Sequence, residues 1–198
     1  MNYTAAYEAA LEKFRNTTLE EINHYSGYPV VGNHIKIDFL GQQFEVEYPS
    51  GKFSNEPALE GELPAFARIL VLHYLVNRSE AQQTGQLISY KELPGGSIYI
   101  QPFTNRAIRP LVSAFGDNPE NLVKVAHRLG GEQVKLGDAG VVLKVFPKIP
   151  VTLVMWGADE EFPASGNILF DSSAGSVLHT EDYAVLASFV AQTLRKLV

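Results

Sequence analysis

Hydrophobic and polar positions along the chain change period several times, and each change marks an element. Tyr3, Tyr7, Leu11 and Phe14 recur at helical spacing, which predicts an amphipathic helix over about residues 4–15. Thr17 or Thr18 is placed to cap a second helix, with Leu19 and Ile22 inward and a stop near Gly27. The period then falls to two. Ile35, Ile37 and Phe39 alternate with Lys36 and Asp38, and Phe44, Val46 and Tyr48 alternate with Glu45 and Glu47. With Gly41 between the runs, this predicts a β-hairpin with one buried face. Residues 49–61 are rich in Pro, Gly, Ser and Glu and read as a surface loop, whereas 63–76 is apolar on nearly every side, as a helix buried in mid-fold is.

Beyond a polar break at 77–85, 86–90 reads as a short strand, and the Pro94-Gly95-Gly96 turn precedes a second at 97–100. Ile108, Leu111, Val112 and Phe115 form a helical stripe, so Pro110 must lie in a first turn or kink the helix. Asn118-Pro119 opens another helix, with Leu122, Val125, Ala126 and Leu129 inward and Gly130-Gly131 at its end. Strands follow at about 133–136, 141–146 and 151–156, and a final helix starts at Thr180 with Glu181 and Asp182 in its positively polarised first turn. Strands and helices come in blocks rather than in strict alternation. The expected architecture is therefore α+β, one domain over 1–198 with a mainly antiparallel sheet and packed helices. The four-residue link from Pro147 to Pro150 makes 141–146 and 151–156 antiparallel neighbours, and it leaves Trp156 at a buried strand end.

Composition narrows the chemistry. The 198 residues contain no cysteine, which removes disulfides, thiolate metal sites and thiol nucleophiles. A net charge of −6 opposes binding to nucleic acid or an anionic membrane. The apolar run Ile69 to Val76 is too short to span a bilayer, and charges near the N-terminus break any signal-peptide core, so a cytoplasmic protein is expected. A small molecule or another protein remains as partner; oligomeric state and cofactor are not specified. The chain holds no Gly-x-x-x-x-Gly-Lys-Ser/Thr, Gly-x-Gly-x-x-Gly, Gly-x-Ser-x-Gly or His-Glu-x-x-His element.

The densest candidate chemistry is the acidic turn Asp159-Glu160-Glu161 with Asp171 beyond it. If these carboxylates converge beside Trp156 they form a ligand site, and Asp159, Glu161 and Asp171 are oxygen ligands suited to Mg²⁺ or Ca²⁺. Two carboxylates about 5 Å apart repel by roughly 0.8 kcal/mol in water and roughly 3 kcal/mol at an effective dielectric of 20. A buried cluster thus needs a cation, a shared proton or an arginine, for which Arg106 and Arg109 are the candidates. A solvated turn needs none, and it is the favoured reading. His179 follows Asp171 by eight residues and could complete a histidine–carboxylate site; otherwise it is a helix-entry residue. His73 reads as a core histidine. Tyr90, Tyr99, Phe103, Trp156 and Phe162 either fill the core or line a pocket for a flat ligand.

A strand, the link Phe146-Pro147-Lys148-Ile149-Pro150, an apolar strand ending in Trp156, then Asp159-Glu160-Glu161-Phe162-Pro163, Leu169-Phe170-Asp171 and Glu181-Asp182 form a recognisable series. It resembles the domain of unknown function 3786 family of bacteria and archaea, and the likeness extends from the first helix to the last. The resemblance implies no assigned activity. Some larger relatives carry an added iron–sulfur domain, as in corrinoid proteins of one-carbon metabolism, which a cysteine-free chain lacks. Two functions follow as alternatives: a non-catalytic ligand-binding or accessory module, with a link to anaerobic cofactor or one-carbon metabolism; or a carboxylate- or metal-dependent enzyme using the cluster around Asp159, with His179 as base.

Overall fold

The computed structural model describes residues 3–54 and 63–198. Helices α1 (Thr4–Asn16) and α2 (Leu19–Ser26) are followed by a meander of β1 (Val30–Val31), β2 (His34–Phe39), β3 (Gln42–Glu47) and β4 (Lys52–Ser54). Thr18 caps α2 as the spacing implies: its hydroxyl accepts the Glu21 N–H, and the Glu21 carboxylate accepts the Thr18 N–H. The hairpin has the predicted register, Ile35 opposite Val46 and Ile37 opposite Phe44. Leu40 and Gly41 both have positive φ at its two-residue turn. Part of the loop expected over 49–61 is strand β4; residues 55–61 of that expectation lie outside the described residues.

Helix α3 (Ala65–Leu75) is buried along Ala67 and 69–72, Tyr74 and Leu75, in keeping with its all-round apolar pattern. β5 (Leu87–Ser89) leads into two 3-10 turns, the second over Gly96–Tyr99. Here the expected strand at 97–100 is corrected. Ile98 is 78% exposed, so the alternation serves no sheet, and Gly96 lies so close to Tyr90 that a Cβ would sit 2.0 Å from its carbonyl oxygen. The turn runs directly into a helical rod: α4 (Ile100–Phe103), a π-turn (Thr104–Ile108) and α5 (Arg109–Phe115). Pro110 lies in the first turn of α5, as the sequence requires, just after the π-turn. The π-turn before it absorbs the missing N–H, and the carbonyl oxygen of Arg106, four residues back, accepts the Ser188 hydroxyl at 3.1 Å instead.

After α6 (Glu120–His127) come β6 (Glu132–Val134), β7 (Ala139–Phe146), β8 (Ile149–Trp156), β9 (Ser165–Asp171) and α7 (Thr180–Lys196). The second sheet is antiparallel with order β5-β9-β8-β7-β6, and β7 and β8 are neighbours through the Pro147–Pro150 link. The fold is α+β, with antiparallel sheets of four and five strands. Phe39 of the first sheet and Phe146 of the second meet at 5.0 Å between ring centroids, so one core serves both. No helix among the described residues is long and apolar enough to cross a membrane.

Trp156 corrects another expectation. Both faces of β8 are covered from Val151 to Met155, but Trp156 lies at the rim, past that cover, and is 42% exposed. Aqueous iodide should therefore quench most of the native protein's tryptophan emission. Emission as protected as that of a core indole would contradict the rim position.

Candidate functional site

The acidic turn is built from its own backbone. Asp159 Oδ1 accepts the N–H groups of Glu161 at 2.9 Å and Phe162 at 2.7 Å, and the Asp159 N–H donates to the Phe162 carbonyl. Glu160 and Glu161 point outward into solvent exposure. Asp171 stands at the other end of β9, six residues beyond Ser165, or about 20 Å away at strand rise. The four carboxylates therefore do not share a site, and the expected metal set of Asp159, Glu161 and Asp171 is not brought together. Among the described residues no three His, Cys, Asp or Glu side chains gather closely enough to hold a metal ion. Arg106 and Arg109 make no ion pair with the turn, and solvent alone relieves its repulsion.

Asp171 has a different task. Buried, it accepts the N–H of Gly85 at 2.7 Å, of Ser173 at 2.9 Å and of Thr84 at 3.0 Å, along with the Thr84 hydroxyl. Burial alone would raise its pKa. The hydrogen bonds from Ser173, Thr84 and Gly85 outweigh that and hold the carboxyl well below the usual range. It clamps the segment before β5 onto the end of β9.

Two clefts lie elsewhere, on either side of the first turn of α7. Glu181 faces one and Asp182 the other. The first has a volume of about 610 Å³ and gathers aromatic rings that the sequence scatters over nearly two hundred positions. Tyr90 and Phe103 stack at 4.0 Å, nearly parallel, and form its floor. Phe66 and Phe189 meet edge to face at 5.5 Å, and Tyr3 approaches Phe66 at 6.1 Å. Tyr99 is half-exposed at the margin. Polar groups are few: Arg106 from the π-turn, Glu181, Ser188 and Gln192. The Tyr90 hydroxyl donates to the Thr180 carbonyl at 3.3 Å, and burial, helped by the Glu181 charge, pushes this phenol's pKa up. Of the five aromatic residues that the sequence offered for a pocket, Tyr90, Tyr99 and Phe103 converge here. Trp156 and Phe162 stand at the exposed acidic turn instead.

The second cleft, about 560 Å³, holds both singled-out histidines. His179 is the N-cap of α7, as expected of a helix-entry residue, although its side chain makes no capping bond. His73 is partnered by Asp182, Nδ1 to Oδ1 at 2.9 Å. Asp182 was visible in the sequence only as a first-turn acid. Its pairing with a helix 109 residues earlier leaves no local signal. His179 thus shares a cleft with a carboxylate, but with Asp182 and not Asp171.

A family model described as domain of unknown function (DUF3786) matches residues 18–193. The chain belongs to that family. No curated protein and no solved structure matches it. The DUF3786 match begins at the N-cap of α2 and ends within α7, so it takes in both sheets and both clefts except for the residues that α1 and its approach contribute, Tyr3 to one and Lys13, Asn16 and Thr17 to the other.

Proposed function

We propose that this DUF3786 protein is a non-catalytic ligand-binding or accessory module, and that the aromatic cleft takes a flat, anionic small molecule. The supporting observation is the stacked floor of Tyr90 and Phe103 beneath a cleft of about 610 Å³ with Arg106 on its margin. Clefts of a few hundred cubic ångströms, mostly apolar and with few convergent polar groups, suit ligands of drug or cofactor-fragment size. The half-exposed Tyr99 and the partly buried Phe66 and Phe189 favour a planar π-system, while Arg106 offers a planar fork to a carboxylate or phosphate. Ser188 holds the Arg106 carbonyl, which fixes the backbone that carries the guanidinium. We read the protein further as cytoplasmic, and its ligand as a flat cofactor or precursor of the anaerobic or one-carbon metabolism that the family resemblance implies.

The test uses 8-anilinonaphthalene-1-sulfonate, a flat aromatic anion whose emission rises in an apolar site. The native protein should bind one dye molecule. Arg106→Gln should weaken binding by roughly tenfold, the scale of one lost hydrogen bond to a charged group. Ala184→Phe, which fills the cleft, should abolish it. Dye binding that ignores both substitutions, or no binding, overturns the reading.

A further inference from the structure

The second cleft is bounded by the end of α1, the end of α3, the 175–178 segment and the first turn of α7. Its titratable side chains are Lys13 from α1, His73 of α3, Arg78 just after α3, and His179 and Asp182 at the start of α7. The acidic members are already engaged. Asp182 is buried and accepts from His73, and Glu21 of α2, which pairs with Arg78 at 2.8 Å, is also held by the Thr18 N–H and hydroxyl. Asn77 in the wall is engaged as well, since its Nδ2 donates to the Val177 carbonyl.

The basic side chains are only partly engaged, Arg78 by Glu21 and His73 by Asp182. Lys13 is exposed and makes no ion pair among the described residues. His73 uses only Nδ1. Because a carboxylate accepts there, Nδ1 carries the proton and Nε2 is left with a lone pair or a second proton, on a side chain that is 30% exposed to the cleft. A molecule entering this space therefore meets Lys13, Arg78, His179 and Nε2 of His73, with the Asp182 carboxylate in the same wall held against Nδ1 of His73.

Charge decides what happens next. With both histidines neutral, Lys13 and Arg78 are balanced by Asp182 and Glu21, two cations against two anions. An arriving anion upsets that balance, and a histidine can restore it by taking a proton from solvent. His73 is better placed to do so than His179. Its imidazolium would rest against the Asp182 carboxylate while donating Nε2–H to the ligand, whereas His179 has no such partner.

We infer that this cleft is a second binding site, for a small oxyanion, and that His73 takes up one proton as the anion binds. The proton comes from solvent and ends on Nε2; no other bond is made or broken. Asp182 is a positioning residue, which fixes the ring's tautomer and steadies the imidazolium. The site is separate from the aromatic cleft, with which it shares no lining residue.

Calorimetric titration of the whole protein with sodium sulfate and, separately, sodium acetate tests the inference. Neither anion titrates near neutrality, so any proton taken up belongs to the protein. Measured in two buffers of different ionisation enthalpy at about pH 7.5, binding should consume close to one proton, the one that His73 gains. Affinity should fall roughly tenfold or more between about pH 6 and pH 8. His73→Gln, which keeps a donor for Asp182, should bind with no proton uptake and a flat pH profile. His179→Gln should retain the uptake. Lys13→Gln, on an exposed helix position and harmless to the fold, should weaken binding several-fold. Ala184→Phe, which blocks the aromatic cleft, should change nothing here. Preference for sulfate would identify a tetrahedral oxyanion such as a phosphate ester as the ligand class, and preference for acetate a carboxylate. Failure of both anions to bind, or proton uptake that survives in His73→Gln, would overturn the inference.

Discussion

Replacing Phe146 with alanine is expected to lower the melting midpoint by roughly 6–20 °C. The estimate combines the usual cost of Phe→Ala in a core, about 3–5 kcal/mol, with about 2–4 °C per kcal/mol for a domain of this size. Phe146 earns the upper part of that range by its position. It is fully buried at the end of β7, where the pairing with β8 shifts register. Its ring stacks on Tyr74 of α3 at 4.3 Å and tilts against Phe39 of β2 at 5.0 Å. Phe39 in turn stacks on Phe189 of α7 at 5.6 Å. One side chain thus joins the five-stranded sheet to the four-stranded sheet and to a buried helix, and its removal leaves a hole that no single neighbour can fill. Phe146→Leu should cost much less. Thermal or denaturant unfolding reads the difference, and a shift of less than about 2 °C for the alanine variant would refute the joining role.

Asp171→Ala should be comparably costly, by roughly 3–5 kcal/mol, because three buried or half-buried N–H groups lose their acceptor together. This residue also gives a pH signature. Its carboxyl is held below the ordinary range in the folded protein, so folding favours its ionised form. The stability it adds is complete above the unfolded value of about 3.9 and is lost as pH falls toward the lower folded value. Acid unfolding curves of the native protein should therefore steepen below about pH 4, and those of Asp171→Asn should be flatter there. If the two acid limbs coincide, the clamp contributes little. Mutation at the other acidic position separates the roles: Asp159→Asn at the solvated turn should stay within about 0.5 kcal/mol of the native protein.

What could be seen in the sequence follows the range of the interactions involved. The α2 cap is legible because Thr18 and Glu21 are three residues apart, and the hairpin because its face repeats every second residue around a two-residue turn. The link from β7 to β8 is equally local. The strand expected at 97–100 failed because alternation of Ile98 and Ile100 implies a buried face only if a sheet lies beside it, and among the described residues no strand pairs with this segment. Trp156 failed for a related reason, since a buried strand says nothing about where its cover ends. The acidic stretch misled through proximity in sequence: β9 carries Asp171 away from Asp159 along its whole length. His73 and Asp182 illustrate the reverse, a contact made only when α3 and α7 pack. The aromatic cleft was half legible, because Tyr90, Tyr99 and Phe103 are near in sequence while Phe66 and Phe189 arrive from distant helices.

The lengths of the strands carry a further consequence. In the five-stranded sheet the eight-residue β7 and β8 are flanked, beyond β9, by outer strands of three residues each, and the outer strands of the four-stranded sheet have two and three. An outer strand presents its unpaired backbone as a template on which another chain can grow, and short ones bearing Lys52 or Glu132 offer few rungs. The apolar heart of the sheet, the kind of segment that forms fibrils when exposed, is thereby kept from neighbouring molecules. Such protection lasts only while β5 and β6 stay docked. Opening of either would bare β9 or β7 to intermolecular pairing, so polymerisation of this protein should begin from partly opened molecules and not from the native surface.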